Sequence, residues 1–243
     1  PAIFLHSVIS YELAKKQVPI WQQAILWANF LPLQLAELCP LKTDFSLVSK
    51  RAQAMQAACD VTKGTMAAVL ALADDVVEQV CQDMDGIVVA ANCNCPGQLV
   101  ISGAFPAVEA ACEVLKEKGA KRALLLPVGG AFHSPLMEPA QEELAKAILE
   151  THFNTPSYPI YQNITAAPTQ DAGLIKENLI AQLTGPVKWT QTIQQMRQDG
   201  AVLFTEYGPG KVLQGLVKKI DRETEVQSAS IGLIQKCFYG FNR

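Results

Sequence analysis

Residues 64–128 read GTMAAVLALADDVVEQVCQDMDGIVVAANCNCPGQLVISGAFPAVEAACEVLKEKGAKRALLLPV, and the fold turns on how they are divided. TMAAVLAL is an apolar run of strand length. ADDVVEQVCQDM is a helix opened by acidic residues, which suit the positive end of a helix dipole. IVVAANCN and GQLVISG are two strands joined by a polar Asn/Pro/Gly turn. FPAVEAACEVLKEKG is a helix closed by Gly119, and RALLLPV is a strand. Strand, helix, strand, strand, helix, strand is the order of the ferredoxin-like split unit.

Working outward, the chain opens on PAIFLHSVISYELAKK, an amphipathic helix over residues 2–16 with Pro1 where a helix favours its first residue. With no initiator Met, the chain reads as cut from something longer. LVSKRAQAMQAAC predicts a helix just before the unit. After it come a helix in SPLMEPAQEELAKAILE, a strand in YPIYQNIT, helices in DAGLIKENLIAQLTG and TIQQMRQDG, and a strand, glycine turn and helix in VLFTEYGPGKVLQGLVKKI. The glycines at Gly208 and Gly210 read as a tight turn and nothing more. Helical and parallel-strand material on both sides makes the unit a small subdomain inserted into a larger α/β body. The expected division is 1–63 and 129–229 for the body, 64–128 for the insert and 230–243 for a tail. No repeat or low-complexity tract interrupts it.

The 243 residues are 49% apolar with a formal net charge of −3, enough to bury a sizeable core and too evenly charged to track a nucleic acid backbone. Lysines and arginines are scattered among carboxylates, with no aromatic residues interleaved in a basic patch. Seven cysteines, an odd number and mostly in apolar runs, suit reduced thiols in the cytoplasm. Cys93 and Cys95 form half of a metal motif, but no second Cys/His pair stands at ligand spacing, so no metal is expected. No signal peptide is expected from the residues at the start of the chain. The apolar stretch around AILWANFLPLQLAEL is interrupted by Gln22, Gln23, Asn29, Pro32, Gln34 and Glu37, which argues against a membrane span.

Chemistry concentrates in PVGGAFHSPLM, where His133 follows an apolar run, two glycines and a turn. Taken with NCNCPGQLVISG, QLTGPVKWTQTI and EYGPGKVLQGLVKKI, in this order and spacing, the stretch resembles the malonyl-CoA:acyl carrier protein transacylases of bacterial fatty-acid synthesis. The resemblance covers residues 1–19 and 46–229. It implies an α/β-hydrolase-like body, incomplete here at the N-terminus, carrying the ferredoxin-like insert. It also implies a serine that attacks the malonyl thioester and a histidine that relays the proton. The pantetheine thiol of the carrier protein then takes the acyl group.

Residue by residue, the resemblance makes His133 the catalytic base and Gln182 the group that orients its ring by hydrogen bonding. It makes Arg51 the cation that grips the malonyl carboxylate with its planar fork. Asn92 and Asn94, in a polar turn between strands, hold backbone geometry near the site, with Asn94 placed at the substrate. No cofactor is implied beyond the coenzyme A thioester itself. The partners implied are malonyl-CoA and acyl carrier protein, with no nucleic acid and no membrane, for a monomer. An acyltransferase domain of a polyketide synthase would share every motif. A non-catalytic module that binds carrier protein is the third reading.

Two departures bear on activity. The family's first strand and its Gly-Gln-Gly oxyanion loop have no counterpart, and its nucleophile elbow, Gly-His-Ser-Leu-Gly, is replaced by IWQQAILWANFLPLQLAELCPLKTDF. Suitable codons for Trp21 to Pro32, read in a shifted frame, spell Ala-Ala-Gly-His-Ser-Leu-Gly-Glu-Phe-Ser-Ala. The expectation is a frameshift entered near Pro19 and left near Ser46. Leu26 then occupies the serine position, 25 residues before Arg51, about the family's spacing. The alternative is a true divergent apolar helix. The last residues, IGLIQKCFYGFNR, match nothing in the family.

Overall fold

The computed structural model describes residues 38, 40–206 and 210–228. The expected helix over 2–16, Leu26 with most of the segment 20–46, most of the glycine turn and the tail 230–243 lie outside the described residues.

The first helix among the described residues, α1, spans Leu41–Val61. It starts earlier than the motif LVSKRAQAMQAAC suggests, within the stretch expected to be out of frame. Its interior is built of strong helix formers. It stops where Thr62 turns extended and its hydroxyl caps the Ala58 carbonyl at 2.6 Å. Leu47, Ala54 and Ala58 recur at helical spacing and are buried against Leu144 and Ile148 of α4 (Glu138–Glu150) and Leu179 of α5 (Ala172–Ala181).

The strands β1 (Gly64–Leu70), β2 (Val88–Cys95), β3 (Gln98–Ala104) and β4 (Arg122–Leu125) form one antiparallel sheet in the order β2-β3-β1-β4. The helices α2 (Asp74–Asp83) and α3 (Phe105–Glu117) lie between β1 and β2 and between β3 and β4. Val77, Val80, Val108, Ala111 and Leu115 from these helices meet Val69, Leu99 and Ile101 of the sheet in one cluster. Each of these valine, leucine and isoleucine side chains contributes about 1.5–3 kcal/mol through burial. The other face carries Met66, Ala91 and Val100, packed on Leu126, Val128 and Phe132. β4 ends earlier than RALLLPV suggests because Pro127 has no N–H for the ladder.

After β4 a short 3-10 turn, Pro135–Met137, leads into α4. The expected strand in YPIYQNIT shrinks to β5 (Ile160–Tyr161), paired with β6 (Pro168–Thr169). It ends there because the Gln162 carbonyl accepts from the amides of Thr165 and Ala166, and Ala166 turns left-handed at φ 57°. Beyond α5, α6 (Trp189–Gln198) is followed by β7 (Leu203–Glu206), α7 (Val212–Ile220) and β8 (Glu225–Ser228). β7 and β8 pair in parallel, and β8 had no sequence forecast. No helix among the described residues is long and apolar enough to cross a membrane.

Candidate active site

The loop 129–134 leaves the end of the four-stranded sheet and is wedged against α1. Gly130 is required there: a Cβ would stand 2.2 Å from Cys59 Sγ. Phe132 packs on both the α1/α4/α5 cluster and the sheet face of Ala91. Ser134, fully buried, donates its hydroxyl to the Ala131 carbonyl at 2.7 Å, and the Met137 amide returns to the Ser134 carbonyl at 3.0 Å. Between these anchors His133 is held at φ 60°, a left-handed conformation that costs a non-glycine residue about 1–2 kcal/mol. The strain persists because the residues on either side are fixed by burial.

Half-buried His133 sets its Nδ1 2.9 Å from the backbone carbonyl of Gln182. A carbonyl cannot donate, so Nδ1 carries the proton and Nε2 keeps the basic lone pair. Burial is the main cause that drives the imidazole pKa down to about 4, and the positive charge of Arg51 adds to it. The carbonyls of Gln182 and Gly185 oppose the shift without overcoming it. The ring is therefore neutral and oriented throughout the physiological range, with its Nε2 lone pair free to accept a proton.

Arg51 lies on α1, and its guanidinium pKa is lowered by burial. Its effect on His133 places the two groups in one electrostatic environment. A fixed cation that has shed water beside a neutral base is suited to an anionic carboxylate or a developing oxyanion. Gln182 caps the C-terminus of α5, and the sequence reading placed it behind the histidine. The contact is made by its backbone carbonyl; its carboxamide faces Gly185 and Pro186 instead.

Asn94 is buried on β2. Register irregularities at Ala90/Asn92 and Cys93/Cys95 break the alternation of β2 here, so that Ala91 meets the face of Phe132 while Cys93, two residues on, points into the helix-covered core. Asn94 is not joined to His133 or Arg51 by a direct hydrogen bond. The structure thus brings His133, Gln182 and Arg51 together and buries Asn94 on β2 without joining it to them. Among the described residues no group of three His, Cys, Asp or Glu side chains is placed to hold a metal, and Cys59, Cys81, Cys93, Cys95 and Cys112 are free thiols.

Two supports were not anticipated from the sequence. Gln141 of α4 donates from Nε2 to the Ile180 carbonyl and to Thr184 Oγ1, both at 3.0 Å, bracing the helix end that carries the histidine's acceptor. Val187 exchanges backbone hydrogen bonds with Ala91 and Cys93 of β2, at 2.8 and 2.9 Å. The glycine pair before His133 was a visible cue to the tight approach of α1; nothing in the sequence marked the other two contacts.

A family model for the acyl transferase domain matches residues 45–240. A malonyl CoA-acyl carrier protein transacylase of Haemophilus influenzae is 37% identical over 226 residues, covering 90% of this chain and 72% of that protein. The solved structure of a malonyl CoA-acyl carrier protein transacylase from Coxiella burnetii superposes with a TM-score of 0.91 at 32% identity, covering 100% of this chain and 79% of that one. A malonyl-transacylase solved in complex with a type II polyketide acyl-carrier protein gives a TM-score of 0.89 at 32% identity, over 97% of this chain and 78% of that one. The family match runs past residue 229 into the tail that had been set outside the resemblance.

Proposed function

The chain belongs to the malonyl-CoA:acyl carrier protein transacylases, and on that premise we propose that its site moves a malonyl group from coenzyme A to the pantetheine thiol of acyl carrier protein through a seryl ester. The observation that carries the reading is the His133 Nδ1 bond to the Gln182 carbonyl, with Arg51 acting on the same ring. Nε2 of His133 takes the serine proton as the hydroxyl attacks the thioester carbon. It returns that proton to the departing coenzyme A thiol, and the second half-reaction runs the same steps in reverse with the carrier thiol. Arg51 holds the free carboxylate, which distinguishes malonyl from acetyl. Asn94 lines the substrate wall.

The nucleophile falls at position 26, written as leucine, so the chain as it stands is inert while its frame-restored form is the enzyme. The match of the acyl transferase model begins at residue 45, beside the expected frame exit at Ser46, which supports this reading. We further read 64–128 as a ferredoxin-like insert in an α/β-hydrolase-like body, with 1–63 and 129–229 forming that body and 230–243 a tail. The β2-β3-β1-β4 order supports the insert. The protein acts as a cytoplasmic monomer with no cofactor beyond the thioester. In a version with residues 19–46 and the N-terminal strand restored, His133→Ala should abolish the malonyl adduct seen by mass spectrometry. An undiminished adduct would remove His133 from the mechanism.

A further inference from the structure

Gln182 uses two parts of itself. Its backbone carbonyl receives His133 Nδ1–H, while its side chain, 1% exposed, turns back on its own chain. Nε2 donates to the Gly185 carbonyl at 2.9 Å and to the Pro186 carbonyl at 3.1 Å, so both amide protons are engaged. The turn so closed is tight: the Gly185 amide bonds Ala181 O at 2.9 Å, and a Cβ on Gly185 would meet Ile164 Cδ1 at 2.1 Å. Directly beyond it the chain is pinned to the sheet. Val187 pairs with Ala91 and Cys93, the Lys188 amide bonds Asn163 O at 2.9 Å, and Thr190 Oγ1 donates to Cys93 O at 3.0 Å. The Gly185 carbonyl that the amide holds also bears on the imidazole.

We propose that the Gln182 carboxamide is a positioning element: by bridging the Gly185 and Pro186 carbonyls it aims the Gln182 carbonyl at His133 Nδ1 and ties that aim to the edge of the four-stranded sheet. The proposal rests on the transacylase reading only in naming His133 as the base. A glutamine is needed because a glutamate at this place would set a carboxylate against two carbonyl oxygens, and a leucine would fill the space without donating. The side chain of residue 182 thus selects the histidine tautomer through the main chain, and the edge strand β2 is held in register with the base.

The test uses the 243-residue chain and needs no activity. It has three histidines, His6, His133 and His152, so their ring nitrogens are separable by 15N NMR. In the unaltered chain His133 should be a single Nδ1–H tautomer with a slowly exchanging ring proton. Gln182→Leu removes both amide hydrogen bonds, and the loosened Nδ1–H contact should speed that exchange by about tenfold and admit the Nε2–H tautomer. Ile101→Ala, in the core between the sheet and its helices, should lower stability at least as much while leaving the His133 tautomer intact. An unchanged His133 in folded Gln182→Leu, or an equal disturbance by Ile101→Ala, would overturn the proposal. If Gln182→Leu fails to fold, the unaltered chain decides the matter. Its Gln182 amide protons should exchange slowly and couple across hydrogen bonds to the Gly185 and Pro186 carbonyl carbons, and freely exchanging protons without coupling would refute the bridge.

Discussion

His133 is basic at one nitrogen and anchored at the other, and both properties have a measurable cost. The folded protein holds a proton on this ring less readily than the unfolded chain does, with a pKa of about 4 against the ordinary 6.5. Stability should therefore be at its full value above pH 6.5 and fall as pH drops towards 4, by an amount on the order of 2–3 kcal/mol. His133→Gln should flatten that part of the profile, and urea midpoints measured from pH 7.5 to pH 4 would check it. An equally steep fall in the variant would assign the loss to other groups. Arg51 makes a second demand at this scale. In Arg51→Ala the His133 pKa should rise, because the cation that opposes protonation is gone, and an NMR titration reads this directly. In the frame-restored enzyme the same change should weaken malonyl transfer on the order of a hundredfold, with acetyl transfer little altered. Equal losses for both acyl groups would make Arg51 structural.

Among the elements, α1 and the histidine loop depend on each other through Gly130. Gly130→Ala would set a methyl group into Cys59 Sγ, so the helix or the loop must move; a loss of about 1–3 kcal/mol and a shifted His133 resonance are expected. Unchanged melting and an unchanged resonance would mean that the contact gives way freely. In the sheet, Ile101 is fully buried between α2 and α3, and Ile101→Ala should cost about 2–5 kcal/mol by the same melting experiment. The elements between β1 and β4 were legible in the sequence because each carries its own local pattern: apolar strands, an acidic helix start, Gly119 at a helix end. β5 was overread because the turn that stops it is made by a backbone carbonyl at Gln162, and β8 was missed because the half-buried strand EVQS has too few apolar residues to alternate clearly. The site divided along the same line. His133, Gln182 and Arg51 were legible as residue types in a family pattern, whereas the atom of Gln182 that meets the histidine is a main-chain oxygen, which every residue has and no sequence displays.

At the scale of the whole molecule, the described residues hold His133, its carbonyl acceptor, Arg51 and the four-stranded sheet, while the position proposed for the nucleophile reads Ile25, Leu26, Trp27. A nucleophile elbow needs small residues beside the serine so that the chain can take a strained corner, and isoleucine and tryptophan are too bulky for it. Replacing one residue should therefore not restore chemistry, but replacing the segment 19–46 together with the N-terminal strand and its oxyanion loop should. Intact-mass spectrometry after incubation with malonyl-CoA compares the three forms side by side. The chain as written and Leu26→Ser should carry no malonyl group, and the restored protein should carry one that leaves on addition of acyl carrier protein; a labelled Leu26→Ser chain, or a restored protein that folds and stays unlabelled, would contradict the account.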